Sequence, residues 1–149
     1  MGAIQQILLG TAFLTFGAVF HVGAIAWSIP YFSTLAQFLD MARHPRLRSA
    51  LLLTFAVFVL VSAHTVQVWT WSVAFLWITD LPDLAASFYF ATVTYTTLGY
   101  GDIVLDADSR IVATFCAING LLTFGISTAL LVGVVGRILP DVSAGSPKG

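Results

Sequence analysis

Charge is what this sequence has least of. Of its 149 residues only 9% are charged, against 58% hydrophobic, and the mean hydropathy is +0.94. A soluble domain carries about 25% charged residues, so the composition describes an integral membrane protein, most simply of one domain. The net charge of −1 argues against nucleic acid as a partner. Cysteine occurs once, at Cys116, which excludes an intrachain disulfide. Lying in an apolar run, it reads as a buried, inert thiol. No group of His, Cys and carboxylate residues has metal-site spacing, and no Ser/His/Asp set stands out. Enzyme chemistry and a cofactor therefore have no support.

Long apolar runs are what the sequence has in quantity. Residues 2–29 carry no charge and have neither the basic flank nor the cleavage site of a signal peptide. They predict a first membrane helix, since about 20 residues span a bilayer, with Pro30 ending it. Ala3, Gly10, Gly17 and Ala24 recur every seven residues, a small-residue stripe on which another helix can dock closely. His21 lies in this helix. An ionisable group there is a functional candidate, and the plainer reading is a neutral imidazole bonded to a neighbouring helix.

Residues 31–49 change character. Phe32, Leu35, Leu39 and Ala42 fall at helical spacing, followed by Arg43, His44, Pro45, Arg46 and Arg48. The pattern predicts an amphipathic cytoplasmic linker at the membrane surface. A second membrane helix is expected over 50–77. His64 and Gln67 interrupt it one turn apart, suited to interhelical hydrogen bonds, with proton sensing as the sharper alternative. Trp69, Trp71 and Trp77 suggest an interfacial belt. Counted from the shared cytoplasmic end, His21 and His64 lie about 10 Å apart in depth and are not expected to pair.

Asp80 or Asp83 can cap the next helix, and Pro82 suits a first turn. That helix, 84–95, is too short to cross ~30 Å of hydrocarbon, so the chain must turn back at Thr96. There stands Thr96-Thr97-Leu98-Gly99-Tyr100-Gly101-Asp102. Two glycines around one residue admit dihedrals that side chains forbid. Irregular backbone at this depth is tolerated where it is buried in protein or lines a watery path, and carbonyls free of helix bonds can replace a cation's hydration shell. A third membrane helix, 109–139, follows. Asn119 within it is expected to bond a neighbouring helix, and 140–149 to form a flexible tail. The arginines cluster at one end of these helices and most aspartates at the other. This places the N-terminus and the 96–102 loop outside and the C-terminus in the cytoplasm.

The loop resembles the signature of potassium channels, Thr-Val-Gly-Tyr-Gly-Asp, with Leu98 in the Val place. The likeness widens to Phe88-Tyr89-Phe90-Ala91-Thr92-Val93-Thr94-Tyr95, similar to the pore helix of the bacterial two-helix potassium channels, and covers 84–131. The resemblance implies an all-α membrane fold: three transmembrane helices, a re-entrant pore helix and a selectivity filter, assembled as a homotetramer in a bacterial inner membrane. Residues 1–30 would be an extra helix, 31–49 a linker, 50–139 the pore domain and 140–149 the tail. K+ would be held at Thr97, Leu98, Gly99 and Tyr100, with Gly101 completing the filter. Tyr89, Phe90, Thr96 and Asp102 would support it, the aromatic pair partly through Tyr100. Val93 stands where some relatives carry a Glu bonded to the Asp after the filter, so Asp102 needs another partner. Gly120 would be a gating hinge or a close-packing site, and Phe124, Thr128, Leu131 and Val135 would line cavity and gate. K+ is then the permeant ion and lipid the surrounding partner. No helix carries Arg at every third residue, which argues against a voltage sensor, and no folded gating domain is seen after the inner helix. A weakly selective cation channel and a non-conducting membrane sensor or subunit are the alternatives.

Overall fold

The computed structural model describes residues 1–40 and 45–144; Ala42, Arg43 and His44, named above, and residues 145–149 of the expected tail lie outside the described residues. The fold is all-α, in the order α1 (Ala3–Asp40), α2 (Pro45–Ile78), α3 (Leu84–Tyr95) and α4 (Arg110–Ala144). Among the described residues, three stretches are long and apolar enough to cross a membrane: Ala3–Leu39, Arg46–Ile78 and Arg110–Arg137. Several hydroxyls of the second span are neutralised locally. Thr54, Ser62, Thr65 and Thr70 each donate to the carbonyl four residues back, at 2.8–2.9 Å. A polar side chain satisfied within its own helix can face lipid.

Lipid offers no hydrophobic gain for burying one apolar surface on another, so the bundle is held by close packing and interhelical hydrogen bonds. The core is aromatic: Trp71 and Phe75 of α2, Phe90 and Tyr95 of α3, with Val112 and the buried Cys116 of α4. Phe13 of α1 adds its ring to Trp71 at 5.4 Å. The small-residue stripe is the docking side. A Cβ on Gly10 would overlap the Phe115 ring, and one on Gly17 the Asn119 amide.

Four expectations are corrected. Pro30 does not end the first helix, which runs on to Asp40. Proline removes one N–H and crowds one carbonyl, but in lipid a broken helix has no water to fall back on. Ser33 and Thr34 also both bond the Pro30 carbonyl, at 2.8 and 2.9 Å. Residues 31–40 therefore form no separate surface helix. Their apolar positions Phe32, Leu35 and Leu39 pack on Leu52, Leu53 and Val134. Trp71 is no belt residue: it is 1% exposed in the core, whereas Trp77 is 84% exposed. Finally, α4 continues to Ala144 rather than stopping at 139. The α3 bounds match the expectation. Asp83 is the cap, its carboxylate accepting from the Ala86 N–H at 2.8 Å, and Pro82 lies just before that cap instead of inside the first turn.

Candidate functional site

At about 1.5 Å per residue the 12 residues of α3 reach only about 18 Å. Where α3 stops, the chain tightens. Thr97 N–H donates to the Thr94 carbonyl at 2.9 Å, and Leu98 and Gly99 N–H both converge on the Val93 carbonyl at 3.0 and 3.3 Å. Then φ is positive at Thr97 (59°), Gly99 (53°) and Gly101 (77°), and at none of the residues between them. The sign of φ thus alternates along five residues. In a strand all φ are negative and successive carbonyls point to opposite sides. Reversing the sign at every second residue turns alternate peptide planes and lets neighbouring carbonyls share one side. Two of the three positive positions are glycine. At Thr97 the left-handed backbone costs about 1–2 kcal/mol, the kind of strain that gathers at functional sites.

The loop is exposed along its length: Leu98 is 55% and Tyr100 67% exposed, and a Cβ on Gly99 or Gly101 would touch nothing. Its support comes from behind. Tyr89 donates its hydroxyl to the Asp102 carboxylate at 2.6 Å, which is the partner Asp102 needed once Val93 had taken the Glu place. That bond holds the Asp102 carboxyl below the usual carboxylate range and raises the Tyr89 phenol. Phe90 is buried and turned to Phe75 of α2, edge on at 5.0 Å. Thr96 caps α3, its hydroxyl on the Thr92 carbonyl at 2.7 Å. Gly120 lies under α3: an added Cβ would overlap the Tyr95 carbonyl oxygen, and this close approach alone requires glycine. Of the lining candidates, Phe124 is partly exposed and stacks on His64 at 4.5 Å. Thr128 and Val135 are exposed on α4, and Leu131 is half-buried.

Behind α3, four helices share one chain of polar contacts. Gln67 bonds His21 at 2.8 Å, and His21 bonds Ser127 at 3.0 Å. Ser127 meets His64 at 3.0 Å, and His64 meets the Tyr95 hydroxyl at 2.9 Å. Tyr95 meets Thr123 at 2.7 Å, and Thr123 donates to the Asn119 carbonyl at 2.8 Å. The expected 10 Å offset between the histidines is wrong, since their rings stand 4.8 Å apart. The reason is the uninterrupted α1. With α1 ending at Asp40 and α2 starting at Pro45, His21 and His64 lie equally far from the turn. Both histidines do bond neighbouring helices, as does Gln67. Asn119 does not: its buried amide has no hydrogen-bond partner, nor has the Gln67 Oε1. Both side chains line a void of about 10 Å³ between α1, α2 and α4.

The sequence reading missed Tyr95, Thr123, Ser127 and Gln6. The first three carried a signal, hydroxyls four apart on one face of an apolar helix and a Tyr directly before the loop. Gln6 is buried; its amide donates to the Ala107 carbonyl and accepts from the Ile111 N–H, each at 3.0 Å. It ties the start of α1 to the loop that leads from residue 102 into α4, so the N-terminus and the exposed loop lie at the same end of the bundle.

Three apolar spans around a short helix and an irregular, exposed loop define an integral membrane protein with a re-entrant segment. Residues 49–137 match a family model described as "Ion channel". That is more than half of the chain, which belongs to this ion channel family. Its relatives include the potassium voltage-gated channel protein shk-1 of Caenorhabditis elegans, 42% identical over 51 residues, 34% of this chain and 10% of the relative. Potassium voltage-gated channel subfamily A member 6 of Homo sapiens is 38% identical over 52 residues, 34% and 10% of the two chains. Potassium voltage-gated channel protein Shal of Drosophila melanogaster is 34% identical over 61 residues, 40% and 11%. The chain thus spans about a tenth of the length of these relatives. No solved structure matches.

Proposed function

We propose that this chain is one subunit of a homotetrameric channel that conducts K+ passively and selectively. The observation that carries the reading is the alternating φ over residues 97–101 at the end of a helix too short to cross the membrane. One such loop offers one wall of carbonyls, whereas a cation needs a cage. Four copies around an axis supply it, with the Thr97, Leu98, Gly99 and Tyr100 carbonyls and the Thr97 hydroxyl as successive dehydrated sites, so that entering ions displace those ahead. The C-terminal end of α3 turns its partial negative charge toward the ion below the filter. The exposure of Leu98, Tyr100 and the Leu121–Phe124–Thr128 side of α4 supports assembly, because these surfaces have no cover within one chain.

Thr128, Leu131 and Val135 line the cavity and its lower gate, and Phe124 stands between that cavity and His64. Gly120 serves close packing, and bending at Gly125, Gly133 or Gly136, which have open space around them, leaves that packing intact. The loop faces outward and the C-terminus the cytoplasm, an orientation supported by Arg46, Arg48 and Arg137 at one end against Asp80, Asp83, Asp102, Asp106 and Asp108, with Arg110, at the other; the membrane is a bacterial inner membrane. The test is ion flux from the purified protein in liposomes. Potassium and rubidium are expected to pass, with sodium at the leak of empty vesicles. A bi-ionic potassium/sodium reversal potential near zero would establish a weakly selective cation channel instead, and absence of any flux a non-conducting subunit.

A further inference from the structure

We propose that the first helix is a positioning element of the pore loop: His21, acting through Ser127 and His64, fixes Tyr95 and so the point from which the 97–101 loop departs. The inference deepens the carbonyl-cage reading and rests on it for its effect on selectivity.

An amide nitrogen can only donate, so Gln67 Nε2, 2.8 Å from His21 Nδ1, makes that nitrogen the acceptor. The ring proton of neutral His21 then sits on Nε2 and is donated to Ser127 Oγ at 3.0 Å. Ser127 has a single proton, and His64 Nε2 at 3.0 Å takes it. His64 must therefore carry its own proton on Nδ1, which it donates to Tyr95 Oη at 2.9 Å. Tyr95 donates to Thr123 Oγ1 at 2.7 Å, and Thr123 to the Asn119 carbonyl at 2.8 Å. The chain has six links, one direction and one proton per link, and crosses all four helices. Bonds in such a series polarise one another, and in a dry interior each broken link leaves an unpaired polar group.

His21 sets the direction. Without it, nothing requires Ser127 to donate to His64. His64 can then turn to its other tautomer, donate to Ser127 and accept from Tyr95. Tyr95 would no longer donate to Thr123, and Thr123 would keep that contact only by releasing the Asn119 carbonyl. The consequence reaches the loop because Tyr95 is the last residue of α3, two before Thr97. Its hydroxyl is held by α2 and α4, while its carbonyl oxygen is seated against Gly120. Residues 97–99 are in turn bonded back to the Val93 and Thr94 carbonyls of the same turn. A shift of Tyr95 is thus a shift of the first filter residues.

The experiment uses His21→Leu, His21→Gln, Tyr95→Phe and the double variant His21→Leu/Tyr95→Phe in liposomes. Two quantities are read: the bi-ionic potassium/sodium reversal potential, and the hydrogen exchange of the peptide covering 92–101. His21→Leu and Tyr95→Phe are each expected to move the reversal potential toward zero and to speed exchange about tenfold, equivalent to about 1.4 kcal/mol. The double variant should be no worse than Tyr95→Phe alone, because both act on one contact. His21→Gln places an amide N–H near the place of the Nε2 proton and should restore both quantities, which a merely space-filling role would not allow. Wild-type selectivity and exchange in His21→Leu, additive effects in the double variant, or failure of Gln to rescue would overturn the proposal. Should His21→Leu fail to assemble, Ser127→Ala, which removes the shared hydroxyl, is read in its place with the same expectations. A wild-type protein that passes no ions would refute the channel reading, while the exchange rates would still decide whether His21 positions the loop.

Discussion

The 96–102 loop and the polar chain behind it lie only a few residues apart at Tyr95, yet they are built in opposite ways. The loop is contiguous, exposed and held almost wholly by backbone bonds within one turn. The chain is discontinuous and buried, and is assembled from side chains on four helices. What a loop needs is conformational permission, which glycine supplies locally. What a polar chain in lipid needs is complete pairing, because no water will complete it. The loop should therefore fail through backbone chemistry at single positions, and its surroundings through lost packing or lost partners.

The largest effect is expected inside the loop. Alanine at Gly101 must adopt φ near 77°, where a side chain costs about 1–2 kcal/mol, and in a tetramer the cost recurs in each subunit. Gly101→Ala is expected to abolish potassium flux in liposomes while the far-ultraviolet circular dichroism is unchanged. Persisting selective flux would mean that the alternating backbone is not the ion path. Next comes Gly120→Ala, where an added methyl meets the Tyr95 carbonyl. Overpacking of this kind costs about 1–3 kcal/mol, and a lower midpoint of thermal unfolding in detergent is expected. Gly23→Ala is the counterpart. Gly23 has open space around it, and replacing a helical glycine there should leave the midpoint unchanged or raise it by up to about 1 kcal/mol of stability.

The same contrast explains what could be read from the sequence. The loop, the α3 bounds and the Asp83 cap were legible because each is decided within a few residues. The span count was legible from composition. His21, His64 and Gln67 were recognisable as polar groups that lipid would force to pair, but not as one another's partners. The contact between the histidines depends on helix registry, and the registry was misjudged by taking Pro30 as a stop. Trp71 was misassigned for a related reason, since the aromatic-belt rule sorts residues by type and depth and is blind to which face of α2 they occupy. Tyr89 was seen as filter support, but its bond to Asp102 requires the loop to fold back over α3, which no spacing argument supplies.

A smaller effect is expected at the far end of α1. Gln6 both donates to Ala107 and accepts from Ile111, so Gln6→Ala removes two bonds from the segment that links the loop to α4. Residues 106–108 beside it are exposed, so water can replace part of the loss. About 1 kcal/mol is expected, read as a modest fall in the unfolding midpoint together with faster exchange confined to residues 103–111. Exchange that rises equally along all of α1 would show that Gln6 holds the helix rather than the loop.

The smallest effect at neutral pH, and the most informative against acid, belongs to Tyr89→Phe. Tyr89 holds the Asp102 carboxyl below its ordinary value, near 3.9. The folded loop therefore binds that proton less readily than the unfolded chain. The bond's contribution is fully present above the ordinary carboxylate range and is lost as pH falls through the depressed value. The Tyr89 phenol is shifted the other way, so it remains a donor through the neutral range and up past its ordinary value, about 10. With phenylalanine at 89 the carboxyl returns toward the ordinary range. Acidifying the filter-mouth side should then reduce potassium current at a higher pH than in the wild type, with little difference at pH 7. Since the bond is exposed, added salt should weaken this distinction. An acid limb that stays in place in Tyr89→Phe would separate Asp102 from the stability of the 96–102 loop. The loop's support would then lie wholly on the buried side, at Tyr95.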